Sequence, residues 1–171
     1  EFRRVLFRSR LTSIFQYANT YAALLIGLLL ASLYLTVHAS NRWIVGASAF
    51  MTVPIIVSFF LTLSRGAVVI LPIVLLIVLL LIRFSRQVTY LIYLAIASVI
   101  SLLLLAPITS IGESQFEAFN PSDNLTGWAF LIGASAVFTA LAMLFHRFLQ
   151  PGLNKGLVRI TNAKWSNAYL P

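Results

Sequence analysis

Five apolar runs, each close to the length that crosses a bilayer, decide what this chain can fold into. They extend from about Ala18 to Val37, Trp43 to Leu63, Ala67 to Ile82, Val88 to Pro107 and Gly127 to Phe145. A crossing helix needs about 20 mostly apolar residues, because the hydrocarbon core is about 30 Å thick and a helix rises about 1.5 Å per residue. None of the runs alternates with period two, which argues against a transmembrane β-barrel. Lipid offers no hydrogen-bond partners, so each run is expected to satisfy its own backbone as a helix. Composition agrees: 60% of the 171 residues are hydrophobic and 9% are charged, against roughly 25% charged in a soluble domain. The expected fold class is therefore all-α, a multi-pass transmembrane bundle of about five helices. Pro54 and Pro72 fall inside runs and are expected to kink their helices. Gly27 and Ala31 form a small-x-x-x-small pair suited to close helix approach.

The net charge of +8 would suggest nucleic acid in a soluble protein. Here no basic, aromatic-interleaved soluble segment exists, and the cations sit between apolar runs, where they set topology. If all five runs cross, Arg42, Arg83, Arg86, Arg147, Lys155, Arg159 and Lys164 share one side. Arg65, Arg10, Arg3, Arg4 and Arg8 lie on the other. The connection Ile108–Thr126 has no Lys or Arg but carries Glu113, Glu117 and Asp123. The positive-inside rule then makes the first group cytoplasmic and puts the N-terminus, the Ser64–Gly66 corner and the acidic loop outside. The chain reads as a piece of a longer protein. Residues 1–9 resemble a translated sequencing adapter, residues 10–147 form the membrane domain, and 148–171 are a cytoplasmic tail or a connection to a further C-terminal part. With no cysteine, disulfides, thiolate metal sites and a cysteine nucleophile are excluded.

Two polar strings meet on the expected outer face. One is Arg10-Leu11-Thr12-Ser13-Ile14-Phe15-Gln16-Tyr17-Ala18-Asn19-Thr20; the other is Leu63-Ser64-Arg65-Gly66-Ala67. Gly66 suits a sharp turn, which would hold Arg65 at the membrane edge. An arginine fixed there, with Arg10 near it, has the geometry to clamp a phosphate bidentately. The plainer role for Arg65 is an interfacial side chain whose charge snorkels to water. The plainer role for Gln16, Asn19 and Thr20 is helix capping.

These two strings, in this order, resemble the O-antigen ligase and Wzy-type polysaccharide polymerase superfamily. Its members show an Arg-x-x-Ser/Gly-x-Phe-x-x-x-Asn segment, then a helix pair, then Ser-Arg-Gly-Ala. The resemblance covers most of residues 10–147. It implies a metal-independent glycosyltransferase in the bacterial plasma (inner) membrane, with no cofactor. Such a protein transfers or polymerises glycan from an undecaprenyl-diphosphate carrier onto an acceptor glycan, lipid or protein at the outer face. On that resemblance the catalytic residues are Arg65 and Arg10, and the substrate-binding residues are Gln16, Tyr17, Asn19, Ser64 and Gly66. Members also carry a large external loop with a further Arg and a His. This chain has no match to it, since His38 and His146 both fall on the expected cytoplasmic side.

Other residues have plainer readings. Glu113 and Glu117, four apart, are expected in a solvated loop rather than around a sugar. Trp43, Trp128 and Tyr90 read as interface anchors, and Trp165 and Tyr169 as tail contacts with the membrane surface. Asn124-Leu125-Thr126 fits a glycosylation sequon without consequence in a bacterium. The rival function, a transporter or channel subunit, would favour ionisable residues in mid-membrane or repeated halves; the runs show neither.

Overall fold

The computed structural model describes residues 17–117 and 121–148, together with residue 152. Among the described residues five α-helices follow one another: α1 Ala18–His38, α2 Arg42–Leu61, α3 Arg65–Leu81, α4 Phe84–Glu117 and α5 Pro121–Phe148. There is no strand among the described residues. The fold is an all-α bundle of membrane type. By length and composition α1, α2, α4 and α5 can cross a membrane, whereas α3, at 17 residues, is apolar but shorter. A 17-residue helix rises about 26 Å, slightly less than the hydrocarbon core.

Helix α2 is the hub. It packs on α1, α4 and α5; α4 and α5 pack on each other, and α3 leans on α1. The main core joins Leu29, Leu33 and Val37 of α1 to Ala49, Val53, Ile56 and Val57 of α2. Ile82 at the end of α3, Tyr90, Tyr93, Ala97 and Leu104 of α4, and Phe138 and Ala142 of α5 complete it. A smaller cluster ties Ala22, Leu25 and Ile26 to Phe59 and to Ala67, the buried residue of α3. Leu71, Val74, Leu75, Val78 and Leu79 of α3 pack half-buried against these two clusters, and its other face is open, with Leu80 75% and Leu81 82% exposed. So large an apolar surface is untenable in water and natural in lipid.

Between α1 and α2 the packing is not purely apolar. Ser32 faces Thr52 at 3.2 Å, and Thr36 faces Ser48 at 3.0 Å. The two Ser-x-x-x-Thr pairs run antiparallel, so each serine meets the other helix's threonine. Each hydroxyl also lies within reach of a carbonyl one turn back on its own helix, such as Thr36 on Ser32 O and Thr52 on Ser48 O. A hydroxyl has one proton. Within each pair, one proton crosses the interface and the other returns to its own helix.

Several expectations need correction. The fourth run does not stop at Pro107, which lies inside α4. One missing amide does not end this helix, and the hydroxyls of Thr109, Ser110 and Ser114 donate to carbonyls a turn earlier. The fifth helix starts at Pro121, ahead of Gly127. Proline is preorganised for the first helical position, and Asp123 in the first turn favours the amide end. The expected acidic loop is thus mostly helix, with Glu113 exposed on α4 rather than in a loop. Tyr90 is not an interface anchor: it is fully buried and donates to Leu30 O at 3.2 Å. Gly27 and Ala31 are exposed, and nothing lies within 4 Å of a Cβ added at Gly27. Close approach of α1 to α2 uses the hydroxyl pairs instead.

The helices alternate in direction, and their contacts sort the ends. Asn19 at the start of α1 touches Ser64 before α3. Val57, Ser58 and Leu61 at the end of α2 line a pocket with Ile111 and Gln115 of α4 and Asn124 and Trp128 of α5, among others. At the other end, His38 meets Arg83 and Arg86 in a second pocket, and Gly46 of α2 touches the Met143 methyl of α5. Arg42, Arg83, Arg86 and Arg147 therefore gather at one end, and Glu113 and Asp123 at the other.

Candidate functional site

The corner between α2 and α3 is built from two buried hydroxyls. Thr62, 1% exposed, donates to Phe59 O at 2.7 Å and accepts from Ser64 N–H at 3.4 Å. Ser64, 4% exposed, caps α3 by accepting from Ala67 N–H at 3.2 Å. Its own proton goes to Asn19 Oδ1 at 2.8 Å, a contact spanning 45 residues of sequence. This bond joins the two polar strings: the serine that fixes where α3 begins is held by the asparagine of α1.

The turn itself departs from expectation. Gly66 is not the turning residue; it sits in the first turn of α3 with no positive φ. The positive φ, 49°, falls on Leu63, which is 58% exposed. Non-glycine residues pay roughly 1–2 kcal/mol there, a strain persisting only where the surroundings over-determine it. The hydroxyls of Thr62 and Ser64 on either side supply that constraint.

Arg65 is the first residue of α3, exposed, with no acidic residue in that first turn. A cation is the wrong charge for the positive end of a helix dipole, at a cost of about 0.3–1 kcal/mol. The same end favours an anion, which can accept from the leading amides and from a guanidinium together. Ser64 serves Ala67 N–H, and the amides of Arg65 and Gly66 have no carbonyl one turn earlier within the helix to bond. Gly66 adds no side chain, and a Cβ there would meet nothing within 4 Å. Beside it Asn19, Ala23, Ile26, Gly66, Ala67 and Ile70 line a small pocket of about 120 Å³.

Asn19 and Ser64 are thus brought into contact, with Arg65 and Gly66 adjoining them. Asn19 does not cap α1; it lies in the first turn after Tyr17, whose side chain makes no cap bond. Tyr17 is exposed just before the same helix end. Arg10 and Gln16 lie outside the described residues. Among the described residues no three His, Asp or Glu side chains cluster as metal ligands do. Sequence reasoning missed Thr62, whose hydroxyl braces the corner, and the Ser32/Thr36–Ser48/Thr52 pairs; the repeated Ser-x-x-x-Thr spacing is the signal for the latter. Compared with protein-family models, curated proteins and solved structures, the chain matches none.

Proposed function

We propose that this chain is part of a bacterial membrane glycosyltransferase that moves or polymerises glycan from an undecaprenyl-diphosphate carrier at the outer face of the plasma membrane. The observation that supports this reading most is the Asn19–Ser64 hydrogen bond of 2.8 Å. It joins the two strings on which the family resemblance rests, beside an arginine at a helix start. In such a transfer the acceptor hydroxyl attacks the anomeric carbon, the bond from that carbon to the diphosphate breaks, and charge grows on the diphosphate oxygens. Arg65, the leading amides of α3 and Arg10 would stabilise that charge where lipid excludes water. Tyr17, Gln16 and Asn19 would orient the sugar or the arginines, and the carrier's apolar tail would lie along the exposed side of α3. The glycan carrier and the acceptor are the proposed partners, with the N-terminus outside and the C-terminus cytoplasmic.

Arg65→Ala and Arg65→Lys in the full-length protein should each abolish glycan transfer while leaving membrane insertion intact. Lysine keeps the charge but loses the fork that grips two oxygens at once. Normal transfer by both variants removes Arg65 from the reaction.

A further inference from the structure

We infer that the pocket formed by Tyr34, His38, Arg83 and Arg86 seats the phosphate of an anionic lipid, at the bundle end opposite Arg65. This inference stands apart from the proposed glycan transfer. The pocket has a volume of about 260 Å³ and is completed by Leu81 and Ile82. Arg83 comes from the α3–α4 turn, Arg86 from the first turn of α4, and the wall from the end of α1. The Tyr34 and His38 rings stack at 4.1 Å and 14°, and His38 Nδ1 donates to Tyr34 O at 3.1 Å, which fixes the imidazole. Gln87 fixes the turn by donating to Leu79 O at 2.7 Å and Ile82 O at 2.8 Å, closing the end of α3.

Among the described residues no carboxylate is placed to neutralise these arginines. No Asp or Glu occurs from residue 2 to residue 112, and Glu113 and Asp123 lie at the other end of the bundle. Two arginines lining one pocket without a carboxylate call for an external anion, and phosphate matches the guanidinium fork. A basic pocket between helices at a membrane face suits a phospholipid head group. The apolar surroundings decide between a lipid and free phosphate. Leu80 and Leu81 are 75% and 82% exposed and Phe84 is 55% exposed beside the arginines, so acyl chains can run down α3 from a bound head group.

The test is native mass spectrometry of the purified full chain in uncharged detergent, with phosphatidylglycerol or phosphatidylcholine added. Each arginine contributes about fivefold, so the anionic lipid should be retained about 25-fold better than the zwitterionic one. Arg86→Gln alone should lower that preference about fivefold, and Arg83→Gln with Arg86→Gln should bring it near unity. Arg42→Gln, at the same end but outside the pocket, should leave it unchanged. Excess inorganic phosphate should not displace the lipid. Equal retention of the two lipids, an unaltered preference in both pocket variants, or an equal loss on Arg42→Gln overturns the inference. Binding of inorganic phosphate without lipid preference overturns the lipid assignment in favour of free phosphate.

Discussion

Removing the Asn19–Ser64 contact separates two roles of Ser64. Ser64→Ala deletes the cap on α3, about 1 kcal/mol, and the bond to Asn19 at 2.8 Å. Asn19→Ala deletes only the second, but gains roughly 0.5 kcal/mol of helix propensity, so its net effect as a single change is small. Only a double-mutant cycle isolates the contact. Interhelical hydrogen bonds in membrane bundles average about 0.6 kcal/mol and reach about 1.7. A serine buried to 4% exposure belongs in the upper half of that range, so the expected coupling is about 1 kcal/mol. The assay is reversible unfolding in bicelles of the wild type, both single variants and the double variant. Hydrogen exchange of the α3 amides should run alongside, because Ala67 is the residue of α3 that is fully buried and its other core contacts are half-buried, so α3 should loosen first. A coupling indistinguishable from zero, with α3 exchange unchanged in Asn19→Ala, would refute the claim that the start of α1 holds the start of α3.

Two further changes test the core. The Thr89 hydroxyl is buried without a hydrogen-bond partner, so Thr89→Val should stabilise the bundle by about 1 kcal/mol in the same unfolding assay; a loss would reveal a partner for that hydroxyl. Thr36→Val removes the 3.0 Å contact with Ser48 while keeping the side-chain volume, and should cost about 0.6 kcal/mol. That loss should vanish in the Ser48→Ala background if the two hydroxyls interact.

Hydropathy alone marks the five helices, because a segment that length with nothing but lipid around it has one way to satisfy its backbone. It fails at helix ends beyond the apolar boundary. The stretch from Ile108 to Thr126 looks like a loop by polarity. Its hydroxyls can serve helical carbonyls, and Pro121 and Asp123 suit a helix start, so it becomes the ends of α4 and α5. Tyr90 looks like an anchor by position and is core, because its hydroxyl finds a carbonyl on α1. At the site, the nearness of Asn19 to Ser64 follows only in part from helix direction, which puts both helix starts at one end; the packing of α3 on α1 does the rest. Which residue takes the turn did not follow, since glycine is the usual choice and Leu63 is held there by its neighbours. The hydroxyl pairs between α1 and α2 escaped notice because their residues look like ordinary breaks in two apolar runs.

The most direct measurement uses the absence of cysteine from the chain. A single Arg65→Cys substitution gives this chain one thiol, probed in intact cells with a membrane-impermeant maleimide against the unsubstituted protein. If Arg65 serves a carrier diphosphate at the outer face, the thiol reacts before the cells are permeabilised. Reaction only after permeabilisation would put the corner on the cytosolic side and contradict the proposed transfer.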